Sequence, residues 1–169
     1  MTAFDIRPLD PKSDQELDHV SVFSVMTLWE SRPEMRVDPA TMPHFGFAAH
    51  RRIITAGADN PQQQYLVARD PEARIVGHSI VVLRRDEANT PYGYFWSRYV
   101  LPNYRRQGLA RQFLRRNLDW LKERRVSHAD VHIHVDNTPL RGLFESEGFR
   151  VADRRTEQWT FLVLRHDLM

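Results

Sequence analysis

Arg105, Arg106, Gly108, Ala110 and Arg111 fall together in the segment VLPNYRRQGLARQFL, residues 100–114. Their order is that of a strand end, a loop and a helix start. The backbone N–H groups of Gln107, Gly108, Leu109 and Ala110 would then be the unpaired donors of a helix N-terminus, with the positive end of its dipole behind them. Glycine at 108 lets an anion approach that backbone with no side chain in the way, and the arginines supply charge-assisted contacts. The chemistry this offers is phosphate recognition, although an arginine-flanked glycine at a helix start also describes an ordinary turn. A second set lies in VHIHVDN, residues 131–137. His132 and His134 are two apart and share a strand face, and a neutral imidazole accepts a proton near pH 7. Structural histidines on a sheet are the plainer alternative. A metal site is the poorer one, because no third ligand is evident and no metal is expected.

Charge is uneven along the chain. Lys+Arg 24 stand against Asp+Glu 22, a net charge of +2, yet residues 105–125 hold eight basic residues and only two acids, Asp119 and Glu123. Such a patch suits an anionic partner, nucleic acid or a phosphate-bearing small molecule, or else a solvated helix face in an arginine-rich chain whose only lysines are Lys12 and Lys122. The low overall charge weighs against nucleic acid. The absence of cysteine excludes thiolate catalysis, disulfides and Cys-ligated metals. A length of 169 residues predicts one domain, 1–169. The start MTAFDIRPLD lacks the basic and apolar regions of a signal peptide, and no apolar run approaches a membrane span, so a soluble, cytoplasmic protein with no membrane partner is expected.

The elements that must position these residues follow from periodicity. A short strand over residues 5–8 precedes a helix capped by Ser13 or Asp14, with Leu17, Val20, Val25, Leu28 and Trp29 at helical spacing and Pro33 to stop it. A second helical region spans residues 38–58, with Pro39 and Pro43 near its start. Three strands follow, QYLVARD, RIVGHSIVVLRRD and YGYFWSRYV, joined by turns at residues 70–73 and 89–91. Alternation in the third puts Tyr94, Trp96 and Arg98 on one face and Phe95, Ser97 and Tyr99 on the other; one set could line a pocket, though aromatics in a central strand are usually core. Leu109 begins the clearest helix, to residue 125, with Ala110, Phe113, Leu114, Leu118 and Leu121 on one face. A strand, a helix over residues 138–147 stopped by Gly148, and two strands over residues 149–154 and 157–165 complete the chain. The order β α α β β β α β α β β predicts an α+β fold: a mixed, mostly antiparallel central sheet flanked by helices, with one parallel pair across the basic helix.

Arg105, Gly108 and Ala110 match the pattern Gln or Arg, two residues, Gly, one residue, Gly or Ala, and VLPNYR resembles the Val-x-Pro-x-Tyr-Arg lead-in of motif A in the GNAT-type N-acetyltransferase superfamily. Downstream, Asn137, Leu143, Phe144, Gly148 and Phe149 in NTPLRGLFESEGF resemble the same family's Asn…Leu-Tyr-x-x-x-Gly-Phe motif. The resemblance covers residues 76–164 well; residues 1–60 match in element order only. It implies acetyl transfer from acetyl-CoA, as co-substrate, directly to a primary amine of a small molecule or peptide. It also implies that Arg105, Arg106, Gln107, Gly108, Leu109 and Ala110 hold the pyrophosphate and that the backbone of Arg98, Tyr99 and Val100 pairs with the pantetheine arm. Arg111 would lie near the 3′-phosphate, Asn137 against the pantetheine, and Phe144 beside the sulfur.

Phe144 is where the chain departs from that pattern, because many members have a proton-donating tyrosine there. A thiol, with a pKa of about 8.5, leaves readily enough as an anion for a missing acid to be tolerated; the alternative is a CoA-binding regulator without turnover. An amine must lose a proton before attack, and by position His132 resembles the base of members that acetylate protein N-termini. His134 and Trp96 are expected near the acceptor. So are Trp29, Glu30 and Glu34, since the first helical pair commonly shapes the acceptor site in this family. Self-association into a homodimer is left open.

Overall fold

The computed structural model describes residues 3–31, 46–157 and 159–169. In chain order the elements are β1 (Asp5–Pro8), α1 (Asp14–Ser31), α2 (Phe47–Gly57), β2 (Gln63–Arg69), β3 (Ile75–Arg85), β4 (Pro91–Val100), α3 (Leu109–Glu123), β5 (His128–His134), α4 (Thr138–Ser146), β6 (Arg150–Thr156) and β7 (Thr160–Asp167). That is the expected order, with a 3-10 turn at Pro102–Tyr104 added between β4 and α3. The strands make one seven-stranded sheet in the order β1-β2-β3-β4-β5-β7-β6. β1 and β2, β5 and β7, and β6 and β7 pair antiparallel, whereas β4 and β5 are parallel. A parallel pair needs a crossover, which α3 supplies. The fold is therefore α+β with a mixed, mostly antiparallel sheet.

By their internal contacts the residues form two compact units, Met1–Ile80 with Ser97–Leu114, and Val81–Trp96 with Arg115–Met169. β3, β4 and α3 each run through both. Among the described residues no helix is long and apolar enough to cross a membrane.

In the first unit, Ser13 caps α1: its Oγ accepts the Glu16 N–H at 3.2 Å. The Glu16 side chain turns inward, 1% exposed. Burial raises its pKa, but the Asp10 N–H at 2.8 Å, Arg69 at 2.9 Å and Arg7 more than offset that, so the carboxyl lies below its ordinary value. Ile6, Leu66, Ala68 and Val76 pack with Leu109 and Phe113 at the start of α3, and Phe23 packs with Ile75 and Tyr99; burying each Ile, Leu, Val or Phe among them contributes about 1.5–3 kcal/mol. Gly77 allows the close approach of β3 and β4, since a Cβ there would stand 2.8 Å from the Tyr99 carbonyl oxygen. A polar chain crosses this core. His50 Nδ1 is hydrogen-bonded to Ser24 Oγ at 2.8 Å, Ser97 Oγ donates to Ser24 Oγ at 3.3 Å, and Ser97 Oγ meets His78 Nε2 at 2.9 Å. Burial holds the His78 pKa down at about 3 and also lowers that of His50.

In the second unit, Phe95, Phe144 and Phe149 meet edge to face, with centroids 4.8–5.8 Å apart. Asp130 on β5 receives two hydrogen bonds of 2.8 Å from Arg165 on β7. Asn137 caps α4 by accepting the Leu140 N–H at 3.3 Å, and Gly148, at φ +92°, ends it in the left-handed region.

Several element boundaries differ from expectation. α2 begins at Phe47 because Gly46 is extended; residues 38–45 of the expected region lie outside the described residues, as does Pro33. α3 ends at Glu123, and Arg125 leaves the helical region at φ +53°. The last two strands occupy Arg150–Thr156 and Thr160–Asp167; the first of them starts after Phe149 because the Phe149 N–H is held by the Phe144 carbonyl at the end of α4.

Candidate active site

The segment between β4 and α3 carries the first set of chemical groups. Leu101 N–H bonds to the Val76 carbonyl at 2.9 Å, and the 3-10 turn closes with Tyr104 N–H to the Leu101 carbonyl. Arg106 then takes φ +63° and Gly108 φ +82°. A left-handed conformation at a non-glycine residue costs about 1 kcal/mol and persists where the surroundings hold it. Gly108 is exposed, and a Cβ built on it would meet nothing within 4 Å. The helical ladder of α3 opens with Gln112 N–H to the Gly108 carbonyl at 3.0 Å, so the amides of Leu109 and Ala110 precede it at the positive end of the dipole.

Three side chains hold this loop. Tyr104 donates its hydroxyl to Asp70 at 2.7 Å. Arg105 donates from Nε to the Val100 carbonyl at 2.8 Å and from Nη2 to Glu30 at 2.7 Å. Gln107 Nε2 donates to the Asn103 carbonyl at 3.2 Å. Asp70 is itself buried; burial raises its carboxyl pKa, but Tyr104 and Arg74 outweigh that and hold it well below the ordinary carboxylate range. Glu30 also accepts from the Tyr99 hydroxyl at 2.7 Å. Burial and that carboxylate push the Tyr99 pKa up to about 12, so the phenol stays a donor. In β4, the Arg98 carbonyl accepts from Thr27 Oγ1 at 2.7 Å.

The second set sits on β5. His132 lies with its ring stacked on Phe161 at 5.0 Å and approached edge-on by Tyr94 at 5.0 Å, while Arg84 covers Tyr94 at 3.8 Å. Burial, and then Arg155, lower its pKa, which leaves the imidazole neutral at pH 7. His134 is engaged differently: its Nδ1 accepts the Asp136 N–H at 3.3 Å in the turn leading to α4. Asn137 commits its side-chain oxygen to the cap of α4, and Phe144 is fully buried between Phe95 and Phe149. Trp29 and Trp96 are half-buried, and Arg111 is exposed at the first turn of α3. Glu34 lies outside the described residues. Among the described residues no three His, Asp or Glu side chains group as a metal site.

Sequence reading missed the clamps. The partners Tyr104 and Asp70 are 34 residues apart, Tyr99 and Glu30 69, Arg105 and Glu30 75, and no local spacing signals such pairs. The exposed glycine, its open front and the adjoining helix-start amides fit a bound pyrophosphate. The residues present therefore suit the cofactor that the two motifs imply.

The acetyltransferase (GNAT) family model matches residues 25–149, more than half of the chain. The chain belongs to that family. No curated protein matches this member by sequence. Solved structures share its fold at low identity. The PaiA N-acetyltransferase of Thermoplasma acidophilum, in complex with coenzyme A, superposes with a TM-score of 0.71 at 14% identity, covering 98% of this chain and 99% of its own. The spermidine N-acetyltransferase of Vibrio cholerae, in complex with CoA and spermine, gives 0.70 at 14% identity, covering 98% and 95%. The NatC complex bound to Gag peptide and CoA gives 0.68 at 15% identity, covering 98% and 99%.

Proposed function

We propose that this GNAT member transfers an acetyl group from acetyl-CoA to a primary amine of a small molecule or a peptide. The observation that carries the reading is the loop of residues 105–110, whose exposed Gly108 faces open space beside the amides of a helix start. The polyamine and peptide carried by structures of the same fold support an amine acceptor. The continuity of β3, β4 and α3 through both compact units supports treating residues 1–169 as one acetyltransferase domain.

Acetyl-CoA, when bound, supplies a thioester, an acetyl group already activated for transfer. The amides of Gln107, Gly108, Leu109 and Ala110 would hold its pyrophosphate, with Arg106 and Arg111 contributing charge. Arg98, Tyr99 and Val100 would offer backbone to the pantetheine arm, in a strand end steadied by Thr27 on the Arg98 carbonyl and Arg105 on the Val100 carbonyl. Asn137 retains its amide N–H groups for the same arm, since only its oxygen is used in the cap. His132 is the candidate base: neutral at pH 7, it accepts the proton that an ammonium must lose before attacking. Trp29, Glu34, Trp96 and His134 remain candidates for the acceptor side. No cysteine is available for an acyl-enzyme, so transfer is direct.

The test is thermal unfolding with acetyl-CoA, against CoA lacking its 3′-phosphate and plain adenosine, followed by an amine and peptide screen read by released thiol. At about 100 times Kd, binding adds roughly 2.7 kcal/mol, a rise of about 5–11 °C in Tm. No shift at millimolar acetyl-CoA would overturn the reading. Phe144, fully buried with no hydroxyl to protonate a leaving thiolate, favours a second reading, a CoA-binding regulator. A full Tm shift without turnover on any amine would select it.

A further inference from the structure

Glu30 sits in the last turn of α1, where an acidic side chain is unfavourable to the helix dipole. The resemblance puts it among the amine contacts. Its two oxygens are otherwise occupied. Oε1 accepts from the Tyr99 hydroxyl and Oε2 from Arg105 Nη2, both at 2.7 Å. The Arg105 guanidinium also lies over the Tyr99 ring, 5.2 Å from its centroid, and its Nε holds the Val100 carbonyl. One carboxylate thus joins α1, β4 and the first residue of the loop that presents the helix-start amides, all within one compact unit.

We infer that Glu30 is a positioning residue for the acetyl-CoA loop and not an amine contact. The inference rests on the proposed use of that loop. Arg105 begins the segment in which Arg106 takes its left-handed conformation at φ +63°. A non-glycine residue stays there only if its neighbours hold it. Arg105 is fixed at three points, by Glu30, by the Val100 carbonyl and against the Tyr99 ring, immediately before that residue. Its charge is neutralised by Glu30, so what it gives the anion is loop geometry. With Glu30 neutral, the guanidinium loses its ionic partner, the loop samples other conformations, and each acetyl-CoA binding event must reorder it.

The experiment compares wild type with Glu30→Gln, Arg105→Gln and the double variant. Acetyl-CoA affinity is read by calorimetry, and amide hydrogen exchange of residues 106–110 is followed in the ligand-free protein. Both side chains are partly exposed, so Glu30→Gln is expected to weaken acetyl-CoA binding by roughly three- to tenfold, the scale of a partly exposed ion pair with a charged hydrogen bond. Exchange in the loop should speed up. The double variant should be no weaker than Arg105→Gln alone, because the two residues act as one device. Where turnover is measurable, KM for acetyl-CoA should rise and KM for the amine should not. Unchanged acetyl-CoA affinity in a folded Glu30→Gln, additive losses in the double variant, or a rise confined to the amine KM would each overturn the inference. Tyr99→Phe, which removes one hydroxyl from the same carboxylate, is the second arm: affinity lowered in the same direction supports the device, and an unchanged value overturns the part given to Tyr99. Wild type that binds no acetyl-CoA at all would instead be a failure of the proposed function.

Discussion

The loop before α3 and the ring cluster of Tyr94, His132 and Phe161 handle charge in opposite ways. The loop is exposed and ionic: Arg105 is paired with Glu30, Tyr104 is tied to Asp70, and a Cβ built on Gly108 would meet nothing within 4 Å. The cluster holds its imidazole neutral: Phe161 stacks on the ring, Tyr94 meets it edge to face, and burial with the nearby Arg155 charge lowers its pKa. An anion and a proton call for different hosts. The first needs fixed backbone dipoles, the second a neutral lone pair, and each is found in a different compact unit.

The largest expected effect breaks the first region alone. Gly108→Glu puts a carboxylate before the helix-start amides and a side chain on φ +82°. Acetyl-CoA binding should weaken by at least about 100-fold through like-charge repulsion and backbone strain, while the far-ultraviolet spectrum stays native. Unchanged affinity in calorimetry would remove the site assignment. The converse variant, His132→Ala, should lower kcat by roughly 100-fold near neutral pH with little change in acetyl-CoA affinity. With the neutral imidazole as the proposed base and its pKa below the ordinary value, wild-type kcat should hold through pH 7 and fall only below about 6.5. A variant with the wild-type pH profile would exclude His132 as base.

A third prediction separates the core of the first unit from both regions. His78 is neutral when folded, with its pKa held down at about 3, whereas unfolded it titrates near 6.5. Between those values the unfolded chain binds the extra proton, so stability falls as pH drops below about 6.5 and the loss continues toward pH 3. From pH 7 to pH 5 it should reach about 2 kcal/mol, read as a lower urea midpoint. A midpoint insensitive to pH over that range would contradict a buried neutral His78. The smallest effect is that of Phe144→Tyr: restoring the hydroxyl places it in a fully buried ring cluster, costing about 1 kcal/mol in denaturant unfolding and giving no gain in turnover. A rise in kcat would mean that the new hydroxyl reaches the leaving sulfur.

Most of the architecture could be read from the chain because local signals decide it. Period-2 strands, the Ser13 cap, Pro139 in the first turn of α4 and Gly148 at its end all act within a few residues. The loop proposed to hold the anion rests on equally local signals, as a glycine and a helix start are neighbours in sequence. The links from Glu30 to Tyr99 and Arg105 could not be read, because residues 99 and 105 lie far from it in sequence and only the fold brings them together. Phe144 could be recognised as a departure from its motif, but not as part of a three-ring cluster whose other members lie on β4 and just before β6. Asp70 read only as a turn residue.

The chain of side chains from His50 to His78 also fixes where hydrogens can lie. A serine has one proton to give, and Ser97 gives its own to Ser24. None remains for His78, so the hydrogen in that contact belongs to His78 Nε2, and Nδ1 of the neutral ring is a bare lone pair. That nitrogen is buried and has no partner among the described residues. Among the described residues that acceptor has nothing to accept. A second proton arriving there would become a cationic N–H with no partner among the described residues, in a place where burial already disfavours the charge.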